Sequence, residues 1–226
     1  MLTPALAYYS PATQNIQYIQ DAVKQATYYR QVLQANTTAS WQGLWVHIVG
    51  PQSATYGVWL TGNGWAALGM VRVLAVMTNW SRTAKWTTQP ALIKKYIYEI
   101  LDGCMAAGFS PDGTGLLANY LVGDSSGQTA KPNGNFGDAT GTAMIASVAY
   151  RMMVLDPAGA KGYKTWANKL RTAVAAQVKS NGYVNQTVNP YDWYDTTPYT
   201  SGSPEGQAAA VLMATAYGAC VSASRC

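Results

Sequence analysis

The stretch DATGTAMIASVAYRMMVLD, residues 138 to 156, is apolar around nearly the whole circumference of a helix and rich in alanine and glycine. A helix that is hydrophobic on all sides is buried on most of them. Two other stretches share this character, GWAALGMVRVLAVMTNW at 64 to 80 and PEGQAAAVLMATAYGACV at 204 to 221. We call these three the inner helices and expect them to form the interior of an all-α protein.

Three amphipathic stretches flank the inner helices and are expected to form an outer layer. They are NIQYIQDAVKQATYYRQVLQAN at 15 to 36, PALIKKYIYEILDGCMAAG at 90 to 108 and KGYKTWANKLRTAVAAQVK at 161 to 179. Each combines an apolar stripe with a charged face. The third carries five basic residues, which we place on a solvated outer face: Lys161, Lys164, Lys169, Arg171 and Lys179.

A threefold repeat organises these helices. Each outer helix is followed by a short extended segment that starts with a glycine, at Gly43, Gly115 and Gly182, spaced 72 and 67 residues apart. A polar loop then leads to an inner helix with a similar opening: Asn63-Gly64, Thr140-Gly141 and Glu205-Gly206. Such a repeat predicts stacked helical hairpins, and buried inner helices favour closure into an α/α toroid with the variable loops on one rim.

Composition narrows the classes of function. The chain has 226 residues, of which 49% are apolar and only 11% are charged, so one domain covering 1–226 is expected. Its 16 tyrosines and 8 tryptophans suit the walls of a sugar-binding cleft as well as ordinary half-buried positions. The net charge of +5 comes without a basic run interleaved with aromatics, so no nucleic-acid partner is expected.

Metal, cofactor and membrane roles are not expected either. Three cysteines and a single histidine provide no metal-ligand spacing, and the cysteines allow either one disulfide or three reduced thiols: Cys104, Cys220 and Cys226. We see no signal-peptide pattern and no membrane-spanning stretch, so the compartment is left open, with secretion favoured if an N-terminal segment is missing.

A possible dinucleotide fingerprint lies in WLTGNGWAALGM, residues 59 to 70, where Gly62, Gly64 and Ala67 spell G-x-G-x-x-A. That motif requires an acidic residue about 20 positions later to bind the ribose. No Asp or Glu occurs between Asp21 and Glu99, so the dinucleotide-binding interpretation of this motif is excluded. We expect instead that the glycines turn the backbone into an inner helix, with Asn63 near the N-cap.

The same residues carry a family resemblance. VWLTGNGWAALGMVRVLA, 58 to 75, resembles the G-N-G-W helix start of the six-hairpin glycosidases, the unsaturated glucuronyl and rhamnogalacturonyl hydrolases, and particularly their fungal relatives. MLTPALAYY, GLWVHIV, DATGTAMIASVAYRM and SPEGQAAAVLMATAYGA resemble other segments of that family, in order. The resemblance implies an (α/α)6 barrel, of which this chain would be the C-terminal part, a single domain lacking its N-terminal hairpins.

The resemblance also implies a chemistry. Members of the family remove terminal unsaturated uronic acids from oligosaccharides by protonating the double bond and adding water, which needs a positioned carboxylic acid. The family's acid/base aspartate would lie upstream of Met1, so no catalytic residue is assigned in this chain. Thr61 stands where bacterial members have arginine, which weakens the case for uronate recognition. The alternative is a non-catalytic truncated relative that binds glycans or only assembles.

Seven residues are the candidates for substrate binding: His47, Trp59, Asn63, Trp65, Asp138, Trp193 and Glu205. His47 matches a loop histidine of the family, and Trp59 and Trp65 either stack on a sugar ring or pack within the toroid, whereas Trp45 is assigned to the core. Trp193 belongs to the aromatic loop 189–206, which is either a sugar platform or an ordinary turn region.

Asp138 and Glu205 each have two interpretations. A carboxylate at the start of an inner helix is stabilised by the helix N-terminus without any substrate. Two carboxylates on one rim are also the machinery of ordinary glycoside hydrolysis, which gives a second possible mechanism. Finally, an incomplete barrel would leave the apolar flanks of its first and last hairpins without neighbours, which predicts association into homo-oligomers.

Overall fold

The computed structural model describes residues 2–35, 43–122, 136–192, 195 and 197–226. It is mainly helical, as predicted. The helices are α1 (Leu2–Thr13), α2 (Gln17–Leu33), α3 (Leu60–Asn79), α4 (Thr88–Ala107), α5 (Ala139–Leu155), α6 (Pro157–Ala160), α7 (Lys164–Ala175) and α8 (Pro204–Ser222), with a 3-10 turn at Lys161–Tyr163. Two short antiparallel strands, β1 (Val58–Trp59) and β2 (Tyr120–Val122), join the loops that precede α3 and α5.

The helices form two layers. The inner layer runs α1, α3, α5, α8, with each helix packed on the next, and the outer helices α2, α4 and α7 pack against α1, α3 and α5. Every residue of α5 from Ala139 to Tyr150 is buried, which explains why that stretch has no polar face. The all-α class and the layered arrangement of hairpins expected from the repeat are confirmed.

The outer layer follows the amphipathic pattern with one exception. Arg30 of α2 forms a two-pronged ion pair with Glu99 of α4, at 2.7 and 2.8 Å. Four of the five basic residues of the third outer stretch are exposed, but Arg171 is not on a solvated face. Its guanidinium carbon lies 4.2 Å from the centre of the Tyr217 ring of α8. The stretch is also not one α-helix, since Lys161–Tyr163 form a 3-10 turn and α7 runs only from Lys164 to Ala175.

The repeat has a concrete structural role at the start of the inner helices. Its three glycines all adopt left-handed backbone angles, with φ of 95°, 73° and 83°, which explains why glycine recurs there. The segment after the second glycine supplies the carbonyl of Asn119 to the first N–H of α3, at Leu60. The segment after the third supplies the carbonyl of Gln186 to Ala139 of α5. The second and third repeats therefore each satisfy a free donor at the helix N-terminus of the repeat before them.

The start of α3 corrects the expectation for Gly62 and Gly64. The helix already begins at Leu60, so both glycines lie within its first two turns, and Asn63 is not its N-cap. A Cβ on Gly64 would lie 2.7 Å from the Cβ of Met144, so glycine is needed for the close packing of α3 on α5. α3 has the length and apolar composition of a membrane span, but 67% of that window is buried inside the fold, as in the core helix of many globular proteins.

The two ends of the inner layer differ from its centre. α1 exposes Tyr8 and Tyr9, and α8 exposes Val211 and Val221, so apolar surface occurs at both flanks. The cysteine question is resolved in favour of one disulfide, between Cys220 and Cys226 at the end of α8.

Candidate functional site

The N-terminal ends of α3, α5 and α8 meet at one end of the inner layer. The Thr61 hydroxyl of α3 donates to Asp138 at the N-cap of α5, at 2.9 Å. The Trp65 indole of α3 donates to Glu205 of α8, at 2.8 Å. We call this end of the molecule the rim. The three helix entries are gathered there, as the repeat predicts.

Asp138 is the structural centre of the rim. Its carboxylate accepts hydrogen bonds from the backbone N–H groups of Thr140, Gly141 and Val188 and from the Thr61 hydroxyl, at 2.8 to 3.0 Å. It has no exposed surface. Burial raises the pKa of Asp138, while the four donors act in the opposite direction. The carboxylate thus joins α3, α5 and the loop before α8, and a substrate could reach it only by breaking these bonds.

Asn63 is buried and fastens the loop that carries His47. Its amide oxygen accepts from the backbone N–H of Trp45 at 2.8 Å, and its amide nitrogen donates to the backbone carbonyls of Trp45 and Trp59 at 2.9 and 2.8 Å. The side chain therefore binds main-chain atoms on both sides of the loop. This is a positioning role, and it leaves the amide no free donor for a ligand.

His47 and Trp59 form one half of the accessible rim. Their rings lie 4.4 Å apart between centroids at an angle of 37°. The His47 Nδ1 is 2.9 Å from the Tyr120 hydroxyl, and the Trp59 indole donates to the Asn119 side chain at 2.9 Å. Burial lowers the pKa of His47 to about 4, so the ring is neutral at physiological pH. A neutral imidazole can exchange hydrogen bonds with sugar hydroxyls but brings no positive charge to a carboxylate.

Trp65 and Glu205 form the other half. Both side chains are half-buried, and Trp65 borders a cavity of about 240 Å³ together with Trp45, Gly62 and Met70. Burial raises the pKa of Glu205, as does the neighbouring charge of Asp138, whereas the hydrogen bond from Trp65 lowers it. Glu205 therefore keeps its proton to a higher pH than an ordinary glutamate. Trp45 is almost fully buried, which confirms its assignment to the core.

The last candidate, Trp193, lies outside the described residues. Its loop places Tyr191 86% exposed, with the ring packed edge-on against Tyr199. Among the described parts of the chain, no group of His, Cys, Asp and Glu side chains could hold a metal ion.

The sequence did not single out Asn119 and Tyr120, which position the Trp59 and His47 rings. They lie in the second glycine-led segment, so the repeat already placed that segment near the rim. The sequence feature that could have identified them is that Asn119 and Tyr120 place two polar groups in the otherwise apolar segment GLLANYL.

Comparison with solved structures shows the fold. A possible member of the GH105 family from Salmonella enterica serovar Paratyphi A aligns with 96% of this chain and 54% of its own, with a TM-score of 0.73 and 18% identity. A glycosyl hydrolase family 88 protein from Bacteroides vulgatus aligns with 96% of this chain and 60% of its own, with a TM-score of 0.71 and 14% identity. A polysaccharide lyase aligns with 98% of this chain and 60% of its own, with a TM-score of 0.70 and 14% identity.

These likenesses establish an α/α toroid fold for the chain, which spans 54 to 60% of the length of these three structures. Their names include both hydrolases and a lyase, so the fold alone does not select one chemistry. No protein-family model and no curated protein matches the sequence.

Proposed function

We propose that this chain is a glycoside hydrolase-like protein that binds the end of an oligosaccharide at the rim, between the Trp59–His47 pair and the Trp65–Glu205 pair. The observation that carries the proposal is the hydrogen-bonded, half-buried pair of Trp65 and Glu205 at the shared entry of three inner helices. An indole face stacks on the apolar face of a sugar ring, and a carboxyl group beside it binds hydroxyls or delivers a proton.

The reaction that fits best is hydration of a terminal unsaturated uronic acid. The acid transfers its proton to the carbon–carbon double bond. Water then adds to the resulting cation and returns a proton to the carboxylate, and the hydrated ring opens with loss of the glycosidic bond. The proton donor must be neutral at the working pH. Among the described rim residues, Glu205 is the best candidate for this donor, because its burial and the neighbouring Asp138 raise its pKa and so favour the protonated form. Asp138 then has an indirect role: its charge raises the pKa of Glu205, and its hydrogen bonds hold the starts of the inner helices together.

Ordinary hydrolysis by two carboxylates has less support. It needs both groups to reach the scissile bond or a water beside it. Asp138 has no exposed surface and already accepts four hydrogen bonds, so only Glu205 of this pair can reach a substrate.

A non-catalytic glycan-binding protein is the second candidate, and one observation favours it. Thr61 is fully buried and donates to Asp138, so the position at which bacterial members of the resembling family have arginine offers no cation to a uronate. In this case the two tryptophans bind sugar rings without turnover.

An unsaturated uronyl disaccharide separates the two candidates. Turnover is followed as loss of the ultraviolet absorbance of the double bond, and binding is followed as quenching of tryptophan fluorescence. We expect Glu205→Gln to lower kcat at least a hundredfold with little change in binding, and Trp65→Phe to weaken binding. Asp21→Asn, on the outer helix α2, is the matched control and should behave as the parent chain does.

The pH profile tests the role of Glu205 independently. If the protonated acid is required, the rate falls as pH rises through its pKa. Trp65→Phe removes a hydrogen bond that lowers this pKa, so the alkaline limb should move to higher pH. Binding without any loss of absorbance in the parent chain supports the non-catalytic candidate, and the absence of both binding and turnover refutes the proposal.

A further inference from the structure

A separate cavity of about 370 Å³ lies between α1, α3, α5 and α8. Its apolar wall includes Leu68, Val71 and Leu212. Two arginines on neighbouring helices also line it, Arg72 of α3 and Arg151 of α5. This cavity has no part in the proposed sugar rim.

The two arginines lack an anionic partner. Both are half-buried, and within the described residues neither makes a side-chain hydrogen bond or an ion pair. No Asp or Glu is among the residues that line the cavity. Two like charges around one low-polarity space repel each other, and withdrawing each from water costs free energy unless a counter-charge is present. The positive electrostatic potential of the two arginines therefore favours binding of an anion in this cavity.

The position along the helices separates this cavity from the rim. Arg72 comes nine residues after Asn63 in α3, and Arg151 comes ten residues after Gly141 in α5. At about 1.5 Å of rise per residue, both lie about 13 to 15 Å down the inner layer from the rim. The C-terminal ends of helices carry a partial negative charge that favours nearby cations, but this is about half a charge per helix and cannot replace a full counter-ion.

We propose that Arg72 and Arg151 form a binding site for a small oxyanion, a carboxylate or phosphate group on a ligand of about monosaccharide size. Guanidinium groups bind both oxyanions through paired N–H donors. Asn79 and Ser147 line the same cavity and supply polar groups for hydroxyls, and Tyr8 stands at its side on α1. The volume lies at the lower end of the range of small-ligand pockets, about 300 to 1,000 Å³.

Calorimetric titration of the full chain at low salt tests the site with three probes: inorganic phosphate, glucuronate and glucose. We expect at least one of the two anions to bind and glucose not to bind. Phosphate binding without glucuronate binding identifies a phosphate ligand, and the reverse identifies a uronate. Arg72→Gln and Arg151→Gln should each weaken binding at least tenfold, and the double variant should abolish it.

Three controls make the result decisive. Lys164→Gln and Lys169→Gln each remove an exposed positive charge on α7 and should leave anion binding unchanged. Arg151→Lys keeps the charge but loses the paired donors, so a tenfold loss with an unchanged circular dichroism spectrum supports the site even if the double variant does not fold. The proposal is overturned if the parent chain binds neither anion, if the double variant binds as the parent does, or if Lys164→Gln weakens binding equally.

Discussion

Replacing Asp138 should destabilise the protein far more than removal of an ordinary helix cap. Asp138→Ala leaves three backbone N–H groups and one hydroxyl without their acceptor, in a place that water does not reach. The hydroxyl can rotate, but the backbone donors cannot. At about 1 kcal/mol for each stranded donor plus part of the capping energy, and less the relief of no longer burying a carboxylate, the expected loss is about 3 to 4 kcal/mol.

Ser203 provides the matched control, because it also caps an inner helix but accepts a single N–H, from Gly206, at 3.1 Å. Ser203→Ala should cost about 1 kcal/mol. Asp138→Asn retains one acceptor oxygen and turns an NH₂ group toward the remaining donors, so an intermediate loss of about 2 kcal/mol is expected. Urea denaturation followed by circular dichroism measures all three free energies of unfolding.

The free energies of unfolding of the two alanine variants test whether Asp138 has this structural role. If Asp138→Ala costs no more than Ser203→Ala, Asp138 does not join the three helix entries and the description of the rim is wrong. If Asp138→Asn is as stable as the parent chain, the carboxylate is protonated in the folded protein, and its second oxygen donates rather than accepts.

Three further predictions follow from local environments. His47 is the only histidine of the chain, so its imidazole protons can be followed by NMR without overlap, and we expect a titration midpoint near 4 because the ring is buried. Between about pH 6.5 and 4 the unfolded chain binds a proton that the folded protein does not, so the free energy of unfolding should fall as the pH drops through this range. A midpoint near 6.5 would contradict this prediction. Gly64→Ala should lower the free energy of unfolding by about 1 to 3 kcal/mol, because the added Cβ collides with Met144. Gly218→Ala, with open space around it, should raise the free energy of unfolding by up to about 1 kcal/mol. Equal effects of the two substitutions in urea denaturation would refute the close helix contact. Cys104 is fully buried, which raises the pKa of its thiol, so a thiol reagent should detect no free thiol in the native protein and one after unfolding without reductant.

The sequence predicts the layers of this fold because burial leaves a direct trace in composition. α5 has no polar face, so its position at the centre of the inner layer could be expected from 138–156 alone. The boundaries were less accessible. The sequence predicts a start at Gly64 rather than Leu60, because glycine is typical of turns. In the structure this glycine is needed for the close contact with Met144, which is 80 residues away along the chain.

The contacts between rim residues that are distant in the chain could not be predicted from the sequence. Trp65 and Glu205 are 140 residues apart, and their hydrogen bond depends on how the first and third inner helices are placed around the second. Arg171 shows the same limit, since its position on the outer stretch indicates solvent, whereas its guanidinium lies against Tyr217, 46 residues further along the chain. Three cysteines likewise permit three pairings, and only the end of α8 brings Cys220 and Cys226 together.

The way in which Asn63 holds the loop from 45 to 59 has an evolutionary consequence. Its amide contacts main-chain atoms only, so the attachment does not depend on which side chains the loop presents. Exposed residues between the two anchor points, such as Val49 and Tyr56, can be exchanged while the loop stays attached at both ends, whereas Thr55 and Val58 are fully buried and must be kept. A protein built in this way can acquire a different ligand preference through a few loop substitutions, and a library limited to the exposed positions should yield many folded members.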